Sequence, residues 1–191
     1  MKGLKSKIRE ACSKLSENTS LIVMCPPESL GDLRVAVLGE LFDDKSNGVY
    51  VSLNKPYSSI DHTLKKAGLK TSSIYYIDCI TTLVAPGKPD KKNPRVFHVS
   101  SPASIAEEGL LSKEIEWFID KVPHPKFIVI DTLRTLALYH QKNTVTSLMH
   151  HILKSAEKMR AKVVALTIIH PNDKTLDSIL PLFDVILNIS E

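Results

Sequence analysis

The sequence predicts an α/β fold, a mainly parallel sheet covered on both faces by helices in three layers. Three observations point there. Short apolar runs recur along the chain, and the clearest, 127–131 (FIVID), is unbroken, as a strand buried on both faces requires. Segments with helical spacing separate these runs, and strands alternating with helices build parallel sheets. Pro, Gly or Asn stands at many of the junctions.

The elements follow in order. Residues 2–16 carry Leu4, Ile8, Ala11, Cys12 and Leu15 at spacings of three and four, a helix docked by one stripe with a basic opposite side. A first strand at 21–25 (LIVMC) ends at Pro26-Pro27, and a helix at 32–42 follows with Leu33, Val37, Leu38 and Leu41 on one side. Asn47-Gly48 reads as a turn into a second strand, 49–53 (VYVSL), which Pro56 stops. A helix at 57–67 ends at Gly68, and 74–78 (IYYID) is the third strand. A proline-rich basic loop at 85–95 precedes a short run, 96–99. The segment 101–121 carries Ile105, Leu110, Leu111, Ile115, Phe118 and Ile119 and reads as largely helical. Beyond Pro123 and Pro125 come the strand 127–131 and a long helix, 143–160. That helix ends among Lys158, Arg160 and Lys162, where the helix dipole favours cations. Strands at 163–169 and 183–189 close the sheet.

Composition narrows the classes. The 191 residues fit one domain, 1–191, made of a basic helix at 1–18 and a core from 20 onward. Hydrophobic residues at 43% and charged residues at 24% suit a packed globular chain. The run 163–169 falls far short of the ~20 residues that cross a bilayer. Cys12, Cys25 and Cys79 are odd in number and show no paired spacing, which argues against a disulfide framework or a four-cysteine zinc site. The expected location is therefore the reducing cytoplasm, with no membrane partner. A net charge of +4 permits contact with nucleic acid without requiring it.

Ligands of open parallel sheets bind at the carboxyl ends of the strands. Those ends hold 25–33 (CPPESLGDL), then Ser52, Asn54 and Lys55, then Asp78, Asp131-Thr132, and Thr167 with His170. Taken with 49–56 (VYVSLNKP), 74–78, 127–133 (FIVIDTL) and 163–169, their order resembles the core of the RecA superfamily of P-loop ATPases, in its KaiC-like branch. The likeness covers about 20–191. It implies a sheet in which 163–169 lies between 21–25 and 127–131, with 49–53 beyond 127–131. It also implies a nucleotide site at Pro26, Pro27, Glu28, Ser29, Leu30, Gly31, Asp32, Asn54, Asp131, Thr132 and His170, the last in a sensor position.

The chain departs from that pattern where the chemistry lies. A phosphate loop reads G-x-x-x-x-G-K-[ST], its amides cradling phosphates and its Lys reaching the terminal ones. Aligned from Cys25, Leu30 replaces the second Gly, Gly31 the Lys and Asp32 the hydroxyl residue. Shifted by one, Asp32 replaces the Lys. No Lys or Arg occurs in 21–33, and Glu28 and Asp32 repel phosphate. Each opposing charge within ~4 Å costs about 4 kcal/mol at an effective dielectric near 20. At the end of the second strand the family places carboxylates that activate water, and this chain has Asn54 and Lys55. Asp131 alone keeps its type, and a lone Asp there also serves to cap the following turn.

Other constellations are bland. His150 and His151 are helix neighbours about 100° apart and cannot share a metal. No G-x-S-x-G elbow supports a hydrolase triad. Cys25 reads as a small buried residue. The sequence therefore points to a catalytically silent RecA/KaiC-like module with no cofactor, acting through a protein partner or self-association. The alternatives are a nucleotide binder or weak ATPase, using ATP and Mg²⁺ at the start of helix 32–42, and a nucleic-acid accessory protein. The last would work through the first helix and the loop bearing Lys88, Lys91, Lys92 and Arg95.

Overall fold

A computed structural model describes residues 2–42, 46–85, 93–107, 109–170 and 174–189. The elements run α1 (Lys2–Ser13), β1 (Ser20–Cys25), α2 (Leu30–Leu41), β2 (Asn47–Ser52), α3 (Tyr57–Lys66), β3 (Ile74–Asp78), α4 (Thr81–Val84) and β4 (Val96–His98). They continue through β5 (Ala106–Glu107), β6 (Leu110–Leu111), α5 (Lys113–Asp120), β7 (Pro125–Asp131), α6 (Leu133–Tyr139), α7 (Lys142–Met159), β8 (Lys162–Ile168) and β9 (Val185–Asn188).

Seven strands form one sheet in the order β4-β3-β2-β7-β8-β1-β9, and every neighbouring pair is parallel. β8 lies between β1 and β7, and β2 lies beyond β7, as the resemblance implies. The apolar run of β7 occupies the centre of the sheet, where both faces are covered. Alternate side chains separate two cores. Ile128 and Ile130 face α5, α6 and α7, whereas Phe127, Val129 and Asp131 face α1, α2 and α3.

Three boundaries differ from expectation, each for a local reason. Asn47-Gly48 is not a free turn but the first two residues of β2. The Asn47 amide donates to the Pro123 carbonyl at 2.6 Å, and Gly48 lies under the Phe127 ring, where a Cβ would come within 1.9 Å of Cε2. Only glycine allows that approach. The segment 101–121 is not one helix. A 3-10 turn at Pro102–Ile105 leads into the two-residue β5–β6 hairpin, and α5 starts only at Lys113. Gly109, at φ 82°, makes that hairpin turn. Third, α2 starts at Leu30 rather than 32, and a 3-10 turn at Pro27–Ser29 leads into it. Most of the basic loop 85–95, namely 86–92, lies outside the described residues. No helix among the described residues is long and apolar enough to cross a membrane.

Ile130 is 1% exposed, while His150, on the outer side of α7, is exposed. Ile130→Ala is therefore expected to cost about 2–5 kcal/mol, and His150→Ala less than about 0.5 kcal/mol. Urea unfolding of the two variants checks both the burial of β7 and the facing of α7.

Candidate functional site

The turn from β1 into α2 is short. Cys25 ends the strand, and after Pro26 the 3-10 turn begins at once. Pro26 and Pro27 carry no N–H. Of the amides that follow, Ser29 N–H is bonded to the Pro26 carbonyl at 3.0 Å and Leu30 N–H to the Pro27 carbonyl. A phosphate cradle needs several unpaired amides converging on one point, and here two prolines offer none and two amides bond within the turn. Glu28, Gly31 and Asp32 project to solvent, Ser29 is half-buried and Leu30 is buried.

The centre of the site is a side chain that lies one position beyond the lysine-free stretch. Arg34 belongs to the buried stripe of α2, between Leu30 and Leu33 on one side and Val37 and Leu38 on the other, and is only 4% exposed. Its guanidinium forks onto Asp131, with Nε 2.5 Å from Oδ2 and Nη2 3.1 Å from Oδ1. Nη2 also donates to Asn54 Oδ1 at 3.0 Å. Tyr50, fully buried in β2 two residues before the position that pairs with Asp131, donates its hydroxyl to Asp131 Oδ2. The strand ends of β2 and β7 and the stripe of α2 thus converge on one carboxylate, which is 0% exposed.

Electrostatics matches the geometry. Burial works against the charge on Arg34, but the hydrogen bonds and negative charge of Asp131 outweigh it and raise the guanidinium pKa. Tyr50 is pushed well above the ordinary phenol value, chiefly by burial and secondly by the Asp131 charge. Burial also raises the Cys25 thiol, to about 11, despite the nearby Arg34.

Other residues read from the sequence lie elsewhere in the fold. Thr132 is buried and its Oγ1 is 3.1 Å from that of Thr135, at the start of α6. The Asp131–Thr132 peptide bond is cis. The Asp131 side chain accepts from Arg34 and Tyr50 rather than capping the turn after it. Lys55 and His170 are exposed, and Pro171 lies outside the described residues. Asp78, another strand-end carboxylate, is buried and accepts the N–H groups of Tyr57, Ile80 and Thr81 at 2.9–3.0 Å and the Thr81 hydroxyl at 2.5 Å. It pins the starts of α3 and α4. Among the described residues no group of three or more His, Cys, Asp or Glu could hold a metal. His151 instead pairs with Glu116 at 2.5 Å.

Sequence reasoning missed Arg34 and Tyr50. The signal for Arg34 was present, since position 34 follows Leu30 by four and precedes Val37 and Leu38 by three and four, inside the apolar stripe. A charge at such a position requires a buried partner. For Tyr50 the parity of VYVSL puts 50 on the face opposite Val49 and Val51, together with Asp131 once the register is known.

Comparison with known proteins bears on the fold. No family model matches the chain, and no curated protein matches it. Among solved structures, it is similar to a KaiC-like protein, PH0186, of the hyperthermophilic archaeon Pyrococcus horikoshii OT3. The TM-score is 0.58 and identity 13%, over 90% of this chain and 72% of that one. It is also similar to PH0250 of the same organism, with TM-score 0.56 and identity 10%, over 97% of this chain and 87% of that one. The fold is that of a KaiC-like protein.

The raised thiols and phenols set an alkaline limit. A group whose folded pKa lies above its unfolded value contributes stability that is intact below the unfolded value, about 8.5 for Cys and 10 for Tyr, and is lost as pH rises through the folded value. Stability is expected to fall above about pH 8.5. Cys25→Ala should flatten this slope between about 8.5 and 11, and Tyr50→Phe should flatten it only above about 10. Urea midpoints measured from pH 7 to 11 give the test. Parallel slopes in all three proteins would contradict the burial of these groups.

Proposed function

We propose that this chain is a catalytically silent RecA/KaiC-like module that serves binding or assembly rather than ATP hydrolysis. One observation carries the reading: Asp131, the carboxylate that would hold Mg²⁺, already accepts Arg34 at 2.5 and 3.1 Å and the hydroxyl of Tyr50. A magnesium ion needs an oxygen ligand with a lone pair turned toward it, and prefers to keep its own waters. A carboxylate closed by a guanidinium fork at 0% exposure does not fit that ion.

The surroundings support the same conclusion. Two prolines without N–H and the inward bonds of the Ser29 and Leu30 amides support reading the loop as a degenerate phosphate loop. Glu28 and Asp32 add negative charge where phosphate would approach. Asn54 is bonded to Arg34 and cannot take a proton from water, and Lys55 inverts the charge expected of a base. The residues present therefore do not fit MgATP. An assembly role through a protein partner or a second copy is supported by apolar side chains just beyond the sheet's carboxyl ends. On α4 Val84 is 65% exposed, and on α6 Leu138 is 74% exposed.

Thermal unfolding with and without millimolar MgATP tests this reading. A ligand at a hundredfold excess over Kd adds about 2.7 kcal/mol, enough to raise Tm by several degrees, whereas the expected change is under about 1 °C with no phosphate released. The triple variant Leu30→Gly, Gly31→Lys, Asp32→Thr is expected to gain nothing while Arg34 holds Asp131. A clear shift in the unmodified protein would replace this reading with that of a nucleotide binder or weak ATPase.

A further inference from the structure

The opposite end of the sheet carries a different chemistry. The turn between α5 and β7 and the turn between α7 and β8 face each other across a groove of about 430 Å³ at the amino ends of the strands. Lys121 and His124 line it from the first turn, Lys158 and Arg160 from the second, and Asp120 is the acid among the lining residues. These four basic side chains are exposed, and among the described residues none of Lys121, Lys158 and Arg160 forms a salt bridge with a carboxylate. The helix dipole of α7 accounts for Lys158 in its last turn. The dipole of α5 likewise favours Lys121 at its C-terminal end, but neither helix end accounts for His124 on the far wall. His124 and Arg160 also sit at φ 44° and 55°, positions where glycine is the easier residue, and the sequence keeps basic side chains at both.

An aromatic ring adjoins the cations. Trp117, one turn before Lys121 on α5, is 56% exposed, and Lys121 Nζ lies 3.5 Å from its ring centroid. Cations spaced along a groove bind a phosphate backbone, and an exposed indole offers a face on which a base stacks. We propose that this groove is a binding site for single-stranded nucleic acid, with phosphates on Lys158, Arg160 and Lys121 and a base on Trp117. It is distinct from the basic loop and first helix considered from sequence, and from the Arg34–Asp131 site at the other end of the sheet, so the two proposals stand or fall separately.

Trp117 is the sequence's one tryptophan, which makes it a direct reporter. A 12-nucleotide oligo(dT) titrated into the protein at low salt is expected to quench its fluorescence. Engaging about three phosphates gives a slope of log Kobs against log salt near −2. A fluorescein-labelled copy, followed by anisotropy, reads the variants. Lys158→Gln with Arg160→Gly should weaken binding at least about tenfold and shrink the slope by about 1.4, while the added glycine suits φ 55° and leaves Tm undiminished. Trp117→Leu should weaken binding and leave the slope unchanged. The proposal is overturned if the oligonucleotide fails to bind at 50 mM salt, or if the double variant binds as the parent does. It is equally overturned if Lys88, Lys91 and Lys92 changed to Gln abolish binding instead, or if inorganic polyphosphate binds as tightly as oligo(dT).

Discussion

A buried carboxylate requires a partner, and in this chain the partner is built in. Asp131 ends the central strand, where the sheet is covered on both sides and water does not reach. Unpaired, its charge would cost several kcal/mol. Arg34 supplies the opposite charge from the helix that follows β1, and Tyr50 supplies a hydrogen bond from the neighbouring strand. The arrangement joins α2, β2 and β7 at one point. It also ties down the connection after β2, because the same guanidinium holds Asn54. Either partner removed alone leaves a stranded charge, so the two residues have to be understood as one unit.

That unit carries the proposal that the chain does not take MgATP. In a working site of this kind the strand-end carboxylate stays open toward a metal and the turn after the first strand keeps its amides for phosphate. Here the cation is covalently part of the chain, and the Ser29 and Leu30 amides bond within the turn. Asp78 follows the same logic at the next strand but one, accepting four donors that start two helices. In the proposed reading the carboxyl ends of the strands serve mainly as architecture, while the exposed basic side chains of the α5–β7 and α7–β8 turns stand at the amino ends.

The fold was largely legible because it depends on pattern. FIVID, VYVSL and VVALTII are unbroken enough to demand burial on both faces, and their order in the sheet follows from the resemblance they carry together. What escaped was decided by contacts distant in sequence. Asn47-Gly48 has turn chemistry, yet the Phe127 ring, eighty residues away by approximate count, makes the glycine a packing requirement. The apolar residues of 101–121 suit a helix, yet Gly109 turns the chain back into a hairpin. At the site, Asp131 and Asn54 were visible as candidates, but their meaning depends on Arg34, a charge whose burial shows only when its place on the stripe of α2 is taken seriously.

A double-mutant cycle on Arg34 and Asp131 tests the central claim most directly, using Arg34→Met, Asp131→Asn and the pair together, each unfolded in urea at pH 7. If the two side chains are one buried unit, each single change is strongly destabilising, and the double variant recovers much of the loss. The coupling free energy is then expected to be about 2–3 kcal/mol. Additive effects, with coupling within about 0.5 kcal/mol of zero, would mean that Asp131 does not depend on Arg34 and remains open to another partner.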